Sequence, residues 1–203
     1  MGRPRGFDIE EAVAAATKLF WRGYDRTSLT DLTGALGISP ASFYFAFGSK
    51  EALFRQVVDR YLATLDEALG AAFQAGTPYA AVHALLRSYA DVVTDPEHAP
   101  GCLVVNSSPS SEAGDGLQGW LASHREALRR RLEDRFSTDG GLGTGMDPEA
   151  TARFVAVLAG GLAVEARSGA SRRQLYAAID LALAVFGDQP GVGPARAHLA
   201  PSA

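Results

Sequence analysis

The chain has 203 residues, of which 47% are hydrophobic and 21% charged, and this composition excludes an intrinsically disordered protein. Its formal net charge of −4 excludes a polycation, although DNA binding requires only a local basic surface. The single cysteine, Cys102, excludes an intramolecular disulfide bond and fits a reducing compartment. No apolar run approaches the ~20 residues of a membrane-spanning helix, so we expect a cytoplasmic protein with no membrane partner.

Apolar residues recur at three- and four-residue steps through most of the chain, a spacing that predicts an all-α protein of about nine helices. Each of the main predicted helices begins after a residue whose side chain can cap its free amides. Asp8 is followed three residues later by Glu11, which predicts a capping box at the start of the first helix. The predicted N-caps, in chain order, are Asp8, Ser28, Ser39, Ser49, Thr77, Asp147 and Ser171.

The middle and end of the chain contain less regular segments. Residues 102–105 are apolar within a stretch rich in Pro, Ser and Gly, which predicts a short buried turn or helix. A long helix is predicted over about 117–136, followed by a flexible loop over 137–145. The last residues, 188–203, are rich in Pro, Gly and Ala and predict a mobile tail. Glycines that end predicted helices are Gly23, Gly37, Gly48, Gly76 and Gly187.

The second and third predicted helices have the layout of a helix-turn-helix, because only Gly37 and Ile38 lie between the second helix and Ser39, the N-cap of the third. Gly37 allows the positive φ that a tight turn commonly needs. Phe43 and Phe47 are four residues apart and are predicted to face the core. The residues left to face outward are small, hydroxylated or aromatic and include no acid, so they suit close approach to a DNA major groove. They are Ser39, Ala41, Ser42, Tyr44 and Phe45.

Two stretches of this region carry a more specific pattern, GYDRTSL over 23–29 and GISPASFYFAFGSKEALF over 37–54. The pattern resembles the signature of the tetracycline-repressor (TetR) family of bacterial regulators and extends over about 7–61, roughly a quarter of the chain. The resemblance implies an all-helical homodimer that binds double-stranded DNA and responds to a small effector. It implies three DNA-binding helices at the N-terminus, a fourth linking helix, and a dimer interface on the last two helices.

This resemblance divides the chain into a DNA-binding domain over 1–48, an effector-binding and dimerisation domain over 49–187, and the tail. It places Ser39, Pro40, Ala41, Ser42, Tyr44 and Phe45 on the recognition helix. It also implies DNA contacts at the start of the second helix by Thr27 and Ser28, and a phosphate contact by Lys50 at the start of the fourth. The recognition helix lacks Arg, Asn and Gln, the usual base-reading residues, so specificity would rest on thymine methyls, hydroxyl groups and DNA shape.

Two further features near the chain ends have alternative interpretations. Arg3 and Arg5 precede the first helix and suit a minor groove or phosphates, or they are ordinary solvated charges of a disordered terminus. The predicted helices between Asp147 and Gly187 are rich in small and apolar residues, which favours a two-fold interface or, alternatively, a buried core. The residues concerned are Ala159, Gly160, Gly161, Ala163, Ala166, Leu175, Ile179, Leu183 and Phe186.

Aromatic and histidine residues of the larger domain are candidates for an effector cavity, since aromatic walls with a few polar groups suit a small organic ligand. The alternative is that they are ordinary core residues. Cys102 belongs to the set because the family resemblance extends to a Gly-Cys-Leu segment, in which some members use the cysteine as a sensor of oxidants or electrophiles. Its alternative is a small buried hydrophobe. The candidates are Tyr79, His83, Leu86, Tyr89, Cys102, Trp120, His124 and Phe154.

Enzymatic function has little support in the sequence. The glycine-rich run over 140–145 follows a predicted helix and lacks a Lys-Ser/Thr pair, unlike a phosphate-binding loop. The four histidines are scattered rather than set at metal-ligand spacing. We therefore expect no catalytic activity, cofactor or metal. The alternative to a DNA-binding regulator is a helical ligand-binding or interaction protein whose helix-turn-helix only packs against the rest of the fold.

Overall fold

The computed structural model describes residues 8–74, 77–107, 115–138 and 147–184, and its regular secondary structure in these ranges is entirely helical. The all-α prediction is therefore confirmed. None of these helices combines the length and hydropathy needed to cross a bilayer. Over the described ranges the helices are α1 (Ile9–Phe20), α2 (Leu29–Leu36), α3 (Pro40–Phe47), α4 (Lys50–Phe73), α5 (Pro78–Val93), α6 (Leu103–Asn106), α7 (Asp115–Thr138), α8 (Pro148–Arg167) and α9 (Arg172–Leu183).

The predicted N-caps are all observed, with one difference in detail. Ser28 and Ser171 form reciprocal capping boxes with the residues three positions on. The predicted box between Asp8 and Glu11 is wrong, because the short Asp8 carboxylate accepts from the nearer backbone amide, that of Glu10, at 2.7 Å. Helix ends differ by a few residues from prediction, and α7 continues through two residues assigned to the following loop. The glycines of 140–145, Gly76, Phe186, Gly187 and the tail lie outside the described residues.

The first three helices enclose an aromatic core that continues into α4. Phe20 of α1 and Phe54 of α4 pack edge-to-face with ring centroids 5.0 Å apart, and both side chains are fully buried. Leu32 of α2 and Phe43 of α3 are buried in the same core. Burying a phenylalanine contributes about 1.5–3 kcal/mol, so these contacts fix the angle at which α3 stands on the domain. The boundary after residue 48 remains a proposal.

The 24-residue helix α4 connects this core to the rest of the protein. Near its start, Leu53 and Phe54 are buried against the first three helices, and further along Leu65 and Leu69 are buried against the larger domain. In the larger domain α5 lies at the centre and contacts α4, α8 and α9, while α7 packs along α8. One rigid helix therefore takes part in both hydrophobic cores.

The short helix α6 is wedged between α4 and α8 by a backbone turn that only glycine fits. Gly101 has φ of 102°, and a Cβ built there would lie 2.8 Å from Asn106 Nδ2 and 3.1 Å from the Ala163 carbonyl oxygen. Both the positive φ and the lack of space disfavour a side chain. The Gly101 amide donates to the Val93 carbonyl at 2.8 Å, which ties the turn to the end of α5.

Candidate nucleic-acid interface and effector cavity

The turn between α2 and α3 has the geometry of a helix-turn-helix. Gly37 ends α2 in the left-handed conformation, with φ of 64° and ψ of 29°, as its position in the sequence predicted. Ser39 then caps α3 by accepting from the Ser42 amide at 3.2 Å, and the two hydroxyl oxygens are 3.0 Å apart. Pro40 occupies the first position of α3, where its missing N–H costs no hydrogen bond. These local interactions determine where α2 ends and α3 begins.

Helix α3 divides into a buried and an exposed face, as predicted. Phe43 is completely buried and Phe47 nearly so, whereas Tyr44 is 52% and Phe45 82% exposed. Exposing two adjacent aromatic rings has no benefit for folding and indicates a contact surface. We refer to the exposed set as the α3 surface; it consists of Ser39, Pro40, Ala41, Ser42, Tyr44 and Phe45.

Lys50 lies in the first turn of α4, next to this surface. Its Nζ is 4.1 Å from the centre of the Tyr24 ring, and the side chain is half-buried. Burial lowers the pKa of the Lys50 ammonium, and the negative charge of Asp25 acts in the opposite direction. The aromatic contact restricts the flexible side chain and places a cation near the exposed amides at the start of α4. Its contact with a phosphate remains a prediction.

The predicted DNA contact of Thr27 stays a prediction, but its hydroxyl group is already used within the protein. Thr27 is only 2% exposed, and its hydroxyl donates to the carbonyl oxygens of Gly23 at 3.0 Å and Leu19 at 3.1 Å. The hydroxyl thus satisfies carbonyls near the end of α1. Ser28 is exposed, but its hydroxyl bonds to Asp31 at 2.6 Å. Hydrogen bonds from Ser28 lower the pKa of the Asp31 carboxyl, so this acid stays ionised at the start of α2.

Sequence analysis missed two cations near the start of α2. Arg22 and Arg26 are both exposed in the connection between α1 and α2. Arg22 is close enough for its charge to contribute to the lowered pKa of Asp31. The signal was available, since two arginines within five residues precede the helix-turn-helix. Arg3 and Arg5, which were predicted to contact DNA, lie outside the described residues.

A cavity of about 490 Å³ lies in the larger domain among α4, α5, α6, α7 and α8. Three of the predicted effector residues line it, namely Tyr89, Cys102 and His124. Most of the remaining wall comes from aliphatic side chains of helices far apart in the sequence. Those aliphatic residues include Leu62, Leu65, Leu69, Val104, Val105, Ala156, Val157 and Ala159.

Five other predicted residues do not line this cavity. Leu86 is fully buried in the core. Tyr79 and His83 stack on each other at 6.3 Å, and His83 Nε2 is 3.8 Å from Asp180 of α9, so they belong to the junction of α5 and α9. Trp120 packs under the Arg55 guanidinium at 4.7 Å, and Phe154 is 40% exposed on α8. Helical spacing alone could not separate these faces, because one helix contacts several neighbours.

The buried wall of the cavity contains the only cysteine of the chain, which interacts with two phenols. Cys102 and Tyr89 are both buried and line the cavity, whereas Tyr61 is partly buried and is not one of the lining residues. Burial raises the pKa of both tyrosines, with a further contribution from the adjacent Cys102 thiol. The phenols therefore stay protonated and uncharged at neutral pH. We call Tyr89, Cys102, Val104, Leu69 and Ala159 the cavity floor, since all of them are buried.

A buried hydrogen bond connects the segment that forms this floor to the helix-turn-helix domain. Ser107, directly after α6, is 1% exposed and donates its hydroxyl to the carbonyl oxygen of Phe20, the last residue of α1, at 3.1 Å. Next to it, Trp21 stacks on His98 with ring centroids 4.6 Å apart and meets Tyr61 edge-on at 5.7 Å. The segment that follows α6 is thus in direct contact with the end of α1.

The described parts of α8 and α9 also expose apolar side chains. Val157 is 70% and Leu181 76% exposed, and Val164 is about half exposed. Gly160 and Gly161 leave open space beside them. This surface is available for a partner helix. Within the described residues, no group of three or more His, Cys, Asp or Glu side chains is placed to hold a metal ion.

Sequence comparison identifies relatives over most of the chain. The family model for bacterial regulatory proteins of the tetR family matches residues 12–57. The HTH-type transcriptional repressor ComR of Escherichia coli is 32% identical over 186 residues, which cover 86% of each protein. The HTH-type transcriptional repressor BdcR of the same species is 48% identical over 64 residues, about a third of each protein.

Solved structures show the same fold. One is a cysteine mutant of the TetR family transcriptional regulator CifR complexed with 26-bp double-strand operator DNA. It has a TM-score of 0.85 and 34% identity, covering 91% of this chain and 100% of the CifR chain. A TetR transcriptional regulator from Chloroflexus aurantiacus has a TM-score of 0.74 at 21% identity, covering 87% and 92% of the two chains, and this likeness concerns the fold alone.

Proposed function

This chain belongs to the TetR family of bacterial regulatory proteins, and we propose that it is a transcriptional repressor that binds a palindromic operator as a homodimer and is released by a small effector. It is a DNA-binding transcription regulator. The observation that carries the proposal is the α3 surface, which exposes Tyr44 and Phe45 on a capped helix held by buried Phe43. The structure of CifR with operator DNA, which is similar over nearly the whole chain, supports operator binding by this protein.

The charges around the α3 surface suit a DNA backbone. Lys50 lies at the start of α4, Arg22 and Arg26 are exposed in the connection that precedes α2, and α3 itself carries no acid. Cations at such positions, together with helix N-termini, hold phosphates and fix the register of the protein on the duplex. Tyr44 and Phe45 would then contact base edges and thymine methyl groups in the major groove.

The exposed apolar residues of α8 and α9 support a homodimer. Val164 is 49% and Leu181 76% exposed without lining the cavity, and Gly161 leaves open space for the close approach of a partner helix. A two-fold partner would bury this surface and would present two copies of α3 to successive turns of DNA, ~34 Å apart. The protein would act in the cytoplasm, where such DNA is accessible.

The effector would act from the cavity through two connections. Helix α4 lines the cavity with Leu62, Leu65 and Leu69 and is buried in the helix-turn-helix core with Phe54. The hydrogen bond from Ser107 to Phe20 is the second connection. A ligand that favours a different tilt of α4 would change the separation of the two α3 helices and shift the population toward a form that does not bind DNA.

Selection of bound sequences from random double-stranded DNA tests the proposal. We expect enrichment of a palindrome and binding by two chains. The measured affinity should fall steeply with salt, as expected when cations neutralise phosphates. Absence of an enriched sequence, or binding that is unaffected when Tyr44→Ala and Phe45→Ala are introduced together, would contradict it and favour a helical ligand-binding protein instead. Val164→Asp and Leu181→Asp should shift the dimer toward monomer in analytical ultracentrifugation.

A further inference from the structure

We propose that the cavity binds an uncharged, largely apolar molecule with one hydrogen-bonding group, rather than an anion or a cation. This inference rests on the proposed effector role of the cavity and names the chemical class of the ligand. It follows from a separation within the cavity wall: the fully buried lining residues carry only uncharged polar groups, and most of the charged lining side chains are paired with other charges of the protein.

The cavity floor is apolar apart from a phenol and a thiol. Tyr89, whose side chain is 5% exposed, is kept protonated by burial, so it can donate a hydrogen bond but carries no charge. Leu69, Val104 and Ala159 supply the rest of this buried surface. An ionised ligand group placed here would lose its hydration without gaining a counter-charge, which costs several kcal/mol.

His124 provides a second, independent indication of a hydrogen-bonding ligand. It lines the cavity, and its Nε2 atom is buried without a hydrogen-bond partner among the described residues. Trp120 meets its ring edge-on at 4.6 Å and restricts its orientation. A buried nitrogen without a hydrogen bond is unfavourable, and a ligand N–H or carbonyl group would satisfy it, since an imidazole nitrogen can accept or donate.

The arginines that line the cavity are mostly paired with acids of the protein. Arg129, whose side chain is only 14% exposed, bonds to Glu126 at 2.6 Å and to Glu133 at 2.8 Å. Arg131 pairs with Asp66 at 2.6 Å. Arg153 pairs with Glu149 at 3.0 Å. Arg125 also lines the opening, but it is exposed and therefore hydrated and weak as an anion site. The arginines thus form a polar rim rather than a site for a ligand carboxylate.

Two fluorescent probes of the same skeleton test this assignment. N-phenylnaphthylamine is uncharged and apolar and carries one N–H, whereas anilinonaphthalene sulfonate is the same molecule with an added sulfonate. We expect the uncharged probe to bind with one site per chain, and the sulfonate to bind at least about tenfold more weakly, the equivalent of one lost interaction of ordinary strength. Val105→Trp, which fills the cavity from α6, should abolish binding of the uncharged probe.

Matched variants test the two polar groups. Tyr89→Phe and His124→Leu should each lower the affinity for the uncharged probe by roughly three- to tenfold, whereas His124→Gln should lose less affinity than His124→Leu. Tyr79→Phe and His83→Leu are the controls, because these residues make similar ring contacts at the junction of α5 and α9, away from the cavity, and should leave binding unchanged. Thermal unfolding of each variant checks that the fold is retained. Should His124→Leu fail to fold, the Tyr89→Phe variant carries the test.

Three results would overturn the assignment: no binding of the uncharged probe, binding that survives Val105→Trp, or sulfonate binding as tight as that of the uncharged probe and sensitive to Arg125→Gln. The last result would identify an anionic ligand held at the opening. Because probe binding is measured without DNA, these failures are distinct from failure of the proposed function, which would appear as the absence of a selected operator.

Discussion

The α3 surface and the cavity floor place aromatic residues in opposite environments. On α3, Tyr44 and Phe45 are exposed and stand on a helix whose caps and turn come from residues within about ten positions. In the floor, Tyr89 is buried beside Cys102, and the walls come from five helices spread over about a hundred residues. The comparison shows that a contact surface can be built from local sequence, whereas a binding cavity depends on how distant helices pack.

The largest effect on stability is expected from substitution of an aromatic residue of α3 that faces the core rather than the surface. Phe43→Ala should lower the free energy of unfolding by about 3–5 kcal/mol, because it leaves a cavity in the aromatic core. Phe45→Ala, two residues away and exposed, should change it by less than ~0.5 kcal/mol. Urea denaturation followed by circular dichroism measures both values. Similar losses in the two variants would mean that α3 has no free surface.

The next largest effect is on ligand binding, where variants of the α3 surface and of the cavity floor should alter different affinities. Tyr44→Ala should reduce operator affinity by about 1–3 kcal/mol, as for other residues that contact base edges, without changing the binding of the uncharged probe. Tyr89→Phe should have the reverse effect, with weaker probe binding and unchanged affinity for DNA in the absence of ligand. Fluorescence anisotropy with a labelled operator gives the first quantity and probe titration the second. If either variant altered both equally, the two sites would not be distinct.

The contact between the regions is tested by Ser107→Ala. Removing the hydroxyl deletes this buried hydrogen bond, although the Phe20 carbonyl still accepts from the Gly23 amide at 2.9 Å, and should cost about 0.5–1.5 kcal/mol of stability. It should also reduce the coupling between ligand and DNA by about 0.5–2 kcal/mol. Ser123→Ala is the control, because that hydroxyl donates locally to the Trp120 carbonyl at 2.7 Å. Operator affinity with and without saturating probe measures the coupling, and unchanged coupling in Ser107→Ala would leave α4 as the connection.

The buried phenols predict a dependence of stability on alkaline pH. Burial raises the pKa of Tyr61 and Tyr89 in the folded protein, so above pH ~10 only the unfolded chain releases these protons. Stability is therefore lost as the pH rises, by up to about 1.4 kcal/mol per pH unit for each phenol. Tyr61→Phe should make urea denaturation less sensitive to pH between about 9 and 11, whereas the exposed Tyr44→Phe should not. Equal slopes in the two variants would contradict the burial of Tyr61.

The smallest effect is expected at Lys50. Lys50→Ala should make the fall of log affinity with log salt less steep by about one unit, which is the contribution of a single phosphate contact. It should also cause a modest, sequence-independent loss of affinity. Lys18→Ala, on α1, is the control for a general change in charge. A steepened slope, or a change in the selected sequence, would mean that Lys50 acts on bases or on the fold through Tyr24 instead.

The sequence was sufficient for most of the fold because caps and turn residues act locally. Gly37, Ser39 and Pro40 each determine a helix end without help from the rest of the chain, and the structure places all three as predicted. Thr27 shows the limit: its position in the motif was right, but nothing local indicates that its hydroxyl bonds to carbonyls at the end of α1. The cavity residues were only partly found because the spacing of Tyr79, His83 and Leu86 on α5 does not reveal which neighbouring helix each one faces.

The glycine before α6 limits how proteins built on this framework can diversify. No other residue fits at Gly101, so the main chain that carries Cys102 and Val104 has a nearly fixed position relative to α5 and α8. The ion pairs of Arg131 with Asp66 and of Arg153 with Glu149 have no such restriction, since these side chains are exposed and can be exchanged without moving the backbone. New ligand preferences would therefore arise mainly through substitutions at the entrance, while the interior keeps its geometry and with it the link to DNA.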